Sequence, residues 1–361
     1  MKLLRAISVT KSDLIIGTAL CMAVIVLIAG SRISRLTNSK AISSDEPVDI
    51  YLSEPVGLES LSEILADSGV INDKEEVIWA GKLLGWRSFR QGYYQVEGTY
   101  SYDVFLSRIA RGIQDPVKVI ILPGLTKERL ISSLSQQLQF DSVAIKNTLS
   151  DSSFLAEEEI SPDELLGRMY PNTYSLYWTS TPETVIRRIL REFREAVYNR
   201  YKERMEELDM TVNEVLALAS IIEWEANKNE EKATVSGLYW NRLKRGMLLQ
   251  ADPTVNFAVN ERRRLLYEDY RMAHPYNTYI HKGLPPGPIT NPSGSSIEAA
   301  LYPEDHNYLY MVASPEGTHV FTETFDEHKK ESAKWRQWIR EQYRIKRERE
   351  AAVARGSDVS S

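Results

Sequence analysis

The chain has 361 residues, enough for two modest domains or for one large domain with appendages. Its formal net charge of −6 gives no sign of the clustered basic surface that nucleic acid binding needs, so no nucleic acid partner is expected. Cys21 is the single cysteine, which excludes an internal disulfide or a thiolate metal cluster. The five histidines form no HExxH pair, so neither a metal nor a cofactor is expected.

Residues 14–30, LIIGTALCMAVIVLIAG, carry no charge. Extended to Ile33, the run reaches about the 20 residues that a bilayer core requires. Lys2, Arg5 and Lys11 precede it and Arg32, Arg35 and Lys40 follow, so flanking charge does not orient it. Ala29-Gly30-Ser31 offers small residues for signal cleavage, but the run exceeds the usual signal core of about 7–15 residues. The reading is a tail over 1–12, a retained transmembrane anchor over 13–33 and a polar, serine-rich linker over 34–46. Leu20 before Cys21 speaks against a lipid-modified cysteine.

Short elements alternate after the linker. Asp49–Leu52 reads as a strand, Leu58–Ser68 as a helix stopped by Gly69, and Val77–Leu84 as a helix ending near Gly85. Gly92–Val96 then reads as a strand, Tyr102–Ala110 as a helix and Val117–Leu122 as a strand. Together they predict a small α+β module over 47–122. A helix-rich unit over 123–345 follows, with helical spacing in 126–138, 141–151, 182–208, 211–227 and 232–245. Residues 246–325, rich in Pro, Gly, Asn and Tyr, read as loops and short strands. A charged helix with Trp335 and Trp338 is expected from Asp326 to about Glu350. The tail is placed at 346–361, with 351–361 disordered.

TVNEVLALASIIEWEAN, residues 211–227, is the most informative segment. Thr211 and Glu214 form a capping box. At helical spacing Val212, Val215, Leu216, Ala219, Ile222 and Ala226 share one face, and Glu223 falls on it. Burial disfavours an ionised carboxylate, so the spacing predicts a raised pKa for Glu223, as a glycosidic general acid requires. A structural glutamate paired with Arg242 or Lys244 fits the same pattern. Glu225 sits at the edge of the stripe near Glu214, where a solvated or ion-paired role is expected. Gln250 and Asp252, in MLLQADPTV, suit either sugar hydrogen bonding or turn and cap chemistry. Tyr276, Asn277 and Tyr279 combine rings and an amide with a proline-stiffened loop, a combination common to carbohydrate sites and structural loops. His319 is a donor behind the site or a satisfied core histidine.

Several strings carry a resemblance: SIIEWE (220–225), NRLKRGMLLQADPTV (241–255), PYNTY (275–279), GLPPGPITNP (283–292), ALYP (300–303), YLYMVA (308–313) and GTHVF (317–321). In this order the chain resembles the endolytic murein transglycosylases, the YceG-like (MltG) family. The resemblance implies an α+β protein with a transmembrane anchor, a LysM-like module over 47–122 and a YceG-like catalytic domain. It implies that Glu223 is the catalytic glutamate. The implied reaction is cleavage of the MurNAc-β-1,4-GlcNAc bond of peptidoglycan, leaving a 1,6-anhydroMurNAc end and terminating glycan elongation. One carboxyl suffices when the sugar's own 6-hydroxyl attacks, whereas ordinary glycosidases use two. Gln250, Asp252, Asn277 and Tyr279 are expected to hold the saccharide. The implied location is a bacterial cell membrane, single-pass through 13–33, with the catalytic domain outside the cytoplasm and peptidoglycan synthases as partners. Leu166-Gly167, Ala226 and Leu122-Pro123-Gly124 depart from the family pattern. A hydrolytic muramidase, using Glu225 or Asp252 as second carboxylate, and a membrane-tethered glycan-binding scaffold are the competing readings.

Overall fold

The computed structural model describes residues 10–357. The described chain forms two compact units: one reaches to Val117 and takes in Ser175–Thr179, and the other holds Lys118–Tyr174 and the chain from Ser180 onward. The boundary therefore falls near 117 rather than at 122.

The first unit opens with α1 (Lys11–Leu36), started by a capping box between Thr10 and Asp13. None of its residues is buried, and among the described residues it is the one helix long and apolar enough to cross a membrane. β1 (Ile42–Leu52), β2 (Val56–Gly57), α2 (Leu58–Asp67), α3 (Lys74–Leu84), β3 (Ser88–Phe89), β4 (Gly92–Tyr100) and α4 (Tyr102–Arg111) follow. β1 pairs antiparallel with β4, Ile50 opposite Tyr94, and β2 pairs antiparallel with β3. Ile50, Leu61, Leu65, Phe89, Phe105 and Ile109 fill the core between strands and helices. The predicted linker over 34–46 is a correction: α1 runs through Leu36, and β1 begins at Ile42, which is 0% exposed. Ile42 completes this core, and Ser43 N donates to Val70 O, so the segment is held rather than free.

β5 (Pro116–Ile121) and β6 (Asn172–Tyr177) contain the points where the division crosses the chain. The second unit is built on helices: α5 (Lys127–Gln137), α6 (Ser142–Thr148), α7 (Ser152–Glu157), α8 (Leu165–Arg168), α9 (Pro182–Phe193), α10 (Asn199–Glu207), α11 (Val212–Glu225) and α12 (Asn229–Lys244). A π-helical turn, Arg194–Tyr198, joins α9 to α10. The predicted continuous helix over 182–208 thus contains a widened turn. α13 (Asp252–Ala258) and α14 (Gly294–Leu301) lie where loops were expected. Asp252-Pro253 starts a helix instead of making a turn, because proline in the first helical turn has no N–H that the helix needs. β7 (Tyr310–Ala313) and β8 (His319–Thr322) form an antiparallel hairpin. α15 (Phe325–Ser357) runs past the predicted end at Glu350, and 358–361 lie outside the described residues.

Because no α1 side chain is buried, removing residues 1–33 is expected to abolish the need for detergent without altering the unfolding transition. Leu36 remains against the first unit's core and Arg35 keeps its ion pair with Glu76. Urea unfolding of the shortened and full chains should give the same midpoint; a drop would show that α1 supports the fold.

Candidate active site

α11 is the axis of the second unit. Thr211 Oγ1 accepts from Glu214 N while Glu214 Oε2 accepts from Thr211 N, and this box sets the helix start. Every residue from Val215 to Ile222 is buried. The helix is enclosed on all sides by α8, α12, α13 and α14, so its apolar residues mark no single face. An apolar stripe therefore does not single out Glu223, and the last turn must be read from its partners.

Glu223 is 12% exposed, and its four donors converge on Oε2. Ser293 donates to it through N (3.0 Å) and Oγ, Ser296 through Oγ at 2.6 Å, and Lys232 through Nζ at 3.3 Å. Ser293 is the N-cap of α14, so the carboxylate also faces the positive end of a helix dipole. Burial alone would raise the pKa of Glu223. The serine hydroxyls, the Ser293 N–H and the Lys232 charge outweigh burial and lower it. The expected raised pKa is thus reversed, and the group is an ionised carboxylate. Its partner is neither Arg242 nor Lys244 but Lys232, itself 6% exposed and further tied to Ser293 and Ser295.

Glu225 has the opposite environment. Two helical residues on, it points about 200° away from Glu223. It accepts from Tyr239 Oη at 2.9 Å. Burial pushes its carboxyl up to about 7 and the nearby Asp252 charge adds to the rise, against the opposing effects of Tyr239 and Arg242. The solvated role expected for Glu225 is corrected accordingly. It lines a cavity of about 350 Å³ with Tyr239, Arg242, Gln250, Asp252 and Tyr279.

Three of the four predicted saccharide residues therefore meet at Glu225. Asp252 accepts from Tyr279 Oη at 2.5 Å and Tyr270 Oη at 3.4 Å. Gln250 adopts φ 49°, and its N–H donates to Thr278 O, which leaves its side chain exposed at the cavity wall. Asn277 is the exception. It is 0% exposed: Nδ2 donates to Tyr270 O and Met272 O, and Oδ1 accepts from Tyr279 N. An amide buried and held in this way shapes the loop and is closed off from a sugar, so its expected binding role is withdrawn. His319 donates its backbone N–H to Glu231, and its ring lines the cavity 3.5 Å from the same carboxylate. Among the described residues, no group of three or more His, Cys, Asp or Glu is placed to hold a metal ion.

Lys232, Ser293, Ser296, Tyr239, Arg242 and Tyr270 escaped the sequence reading as site residues. Only Ser293 carried a local signal, a serine before a small-residue helix start. Arg242, expected beside Glu223, donates to Leu309 O and Leu249 O and faces the Glu225 cavity.

The model of the YceG-like family matches residues 50–334. A Bacillus subtilis relative called endolytic murein transglycosylase is 27% identical over 328 residues, covering 86% of this chain and 91% of the relative. A Streptococcus pneumoniae relative of the same name is 25% identical over 320 residues; the match covers 79% of this chain and 58% of that longer protein. The crystal structure of a YceG-like protein from Listeria monocytogenes superposes with a TM-score of 0.58 at 29% identity, covering 80% of this chain and 99% of that one.

The two glutamates are expected to shape stability against pH with opposite signs. The lowered pKa of Glu223 gives stability that is present above about 4.5, its ordinary value, and lost as pH falls through the folded-state value. The raised pKa of Glu225 gives stability that is present below 4.5 and lost as pH rises to about 7. Urea midpoints measured across pH should lose the acid-side fall in Glu223→Gln and the decline between these two values in Glu225→Gln. Curves parallel to wild type would refute the assignment.

Proposed function

The chain belongs to the YceG-like family, and from that premise we propose that it is a peptidoglycan lytic transglycosylase whose acid/base is Glu225 rather than Glu223. The observation that carries this reading is the paired environment at the end of α11. Glu223 is ionised by four donors on one oxygen, while Glu225 keeps a proton near neutral pH beside Asp252, Gln250 and Tyr279. A general acid works best with a pKa near the operating pH.

In this mechanism Glu225 donates its proton to the glycosidic oxygen as the MurNAc C1–O bond breaks. The resulting carboxylate then takes the proton of the 6-hydroxyl while that oxygen bonds to C1. The products are a free GlcNAc 4-hydroxyl and a 1,6-anhydroMurNAc end, with no water consumed. Holding the 6-hydroxyl close to C1 supplies much of the acceleration. Asp252, oriented by Tyr279 and Tyr270, and Gln250 hold sugar hydroxyls. Glu223 fixes the helix end that aims Glu225.

The substrate places this chemistry outside the cytoplasm, with α1 as a single-pass anchor in the cell membrane. There it acts on new glycan strands beside the synthases that extend them, and the first unit serves as a LysM-like glycan contact. A hydrolytic muramidase is the second reading, because Glu225 and Asp252 line one cavity, as a two-carboxyl hydrolase requires. Products lighter by one water favour the transglycosylase; reducing ends favour the hydrolase.

Glu225→Gln is expected to lose about 10²–10⁴-fold in rate on isolated glycan strands, and Glu223→Gln to lose less. An enzyme that keeps its rate without the Glu225 carboxyl would return the role to Glu223. The kcat/KM of wild type should fall as pH rises through about 7, where Glu225 loses its proton. With Glu223 as acid, the fall would come in the acid range instead.

A further inference from the structure

A second, larger cavity of about 880 Å³ lies in the same unit, lined by Gly124 and Trp224 among others. It shares two elements with the Glu225 cavity. Trp224 faces the large cavity and the adjoining Glu225 faces the small one. α13 contributes Asp252 to the small cavity and Asn256 and Phe257 to the large one, about 6 to 7.5 Å further along the helix axis. A group attached to a sugar held at Glu225 is therefore within reach of the large cavity.

The walls of this cavity carry charge and rings together. Trp224 Nε1 donates to Gly124 O, which fixes the indole, and the Arg262 guanidinium lies 4.9 Å from the ring centroid. Arg262, Arg129 and Lys127 all line the cavity, and among the described residues none forms an ion pair with a carboxylate. Arg262 and Arg129 are exposed, so their charged groups are open to a ligand. Glu128 and Asp163 supply negative charge to the same wall, while Glu261 is engaged by Arg263. Tyr276 and Phe257, rings 4.5 Å apart, give the floor an apolar part. Such a lining suits a short peptide with carboxylates, an amine and small apolar side chains better than a neutral, hydroxyl-rich sugar.

We propose that this cavity binds the acidic peptide stem carried by the MurNAc residue, with Arg262 held over Trp224 as the main carboxylate contact, supported by Arg129. The inference rests on the glycan-cleavage reading and adds the part of the substrate that the enzyme reads. A guanidinium free of a carboxylate partner forms a charge-assisted pair with one supplied by the ligand, and the mixed charge of the wall matches a stem that also bears an amine.

The test compares full-length enzyme on glycan strands with intact stems and on strands stripped of stems by an amidase, and measures calorimetric binding of the released stem tetrapeptide. Wild type is expected to show a higher kcat/KM on stem-bearing strands. Arg262→Ala should shrink that preference about tenfold or more, the scale of one lost charged hydrogen bond, and weaken tetrapeptide binding equally. Arg129→Ala should act in the same direction, and Arg262→Lys should restore part of the preference. Equal rates of wild type on both strands, or a loss in Arg262→Ala of the same factor on both, would overturn the proposal. A wild type that cleaves neither strand but binds tetrapeptide through Arg262 would refute the enzyme reading and leave the stem site standing.

Discussion

The Glu223 carboxylate, ionised inside the protein, is the constraint on which the rest of the site depends. Its Oε2 gathers donors from the start of α14, remote in sequence from α11, and from α12, the next helix along the chain. Leaving such a charge buried without its donors costs about 3–5 kcal/mol, so the last turn of α11 is held firmly against both neighbours. Helix geometry does the rest. With Glu223 directed at Ser293 and Lys232, Glu225 is turned to the far side, toward Tyr239 and Asp252, and Trp224 is left between them at the large cavity. One carboxylate is stabilised as an anion so that its neighbour can be placed where it keeps a proton. Environments that push two nearby titrating groups apart are a recurring way for a protein to assign acid and base roles.

The loops around α11 are held by buried polar groups rather than by apolar packing alone. Ser220, in the middle of α11, accepts from Ile289 N, and Asn291 reaches Leu122 O and Met169 O through its amide. Thr254 and Thr278 share a hydrogen bond of 2.8 Å, which ties the start of α13 to the loop that carries Tyr279. Each of these groups is buried and paired, the condition under which a polar interior specifies one arrangement instead of weakening it. The Pro- and Gly-rich stretch from 246 to 325 is thus ordered by its asparagines, serines and threonines, and the phenol that meets Asp252 is positioned before any substrate arrives.

Much of the fold was legible because its signals are local. The capping box at Thr211 and the glycine stops at Gly69 and Gly85 act over a few residues, and the expected helix ends there lie within a residue or two of the observed ones, while α1 extends two to three residues beyond each end of the expected span. The expected linker over 34–46 is instead held: polarity there comes from exposed positions, while Ile42, with Leu36 and Ala41 beside it, supplies the contacts to the core. α13 was hidden by the turn-forming character of Asp252-Pro253, which serves a helix start equally well. Asn277 looked like a ligand for the same reason that it is a loop clamp: an amide satisfies a sugar or a backbone with the same atoms.

By itself, the sequence determined the family, the anchor-like helix and the short helical segment that bears both glutamates, since ordered strings and local periodicity are properties of the chain alone. It could not decide which glutamate holds a proton. A helix buried on every side has no distinguishing apolar face, and the serine donors that help to ionise Glu223 come from residues 70 and 73 positions away. Ionisation depends on charges and donors within a few ångströms, and only the tertiary structure decided which of them stand beside each carboxyl.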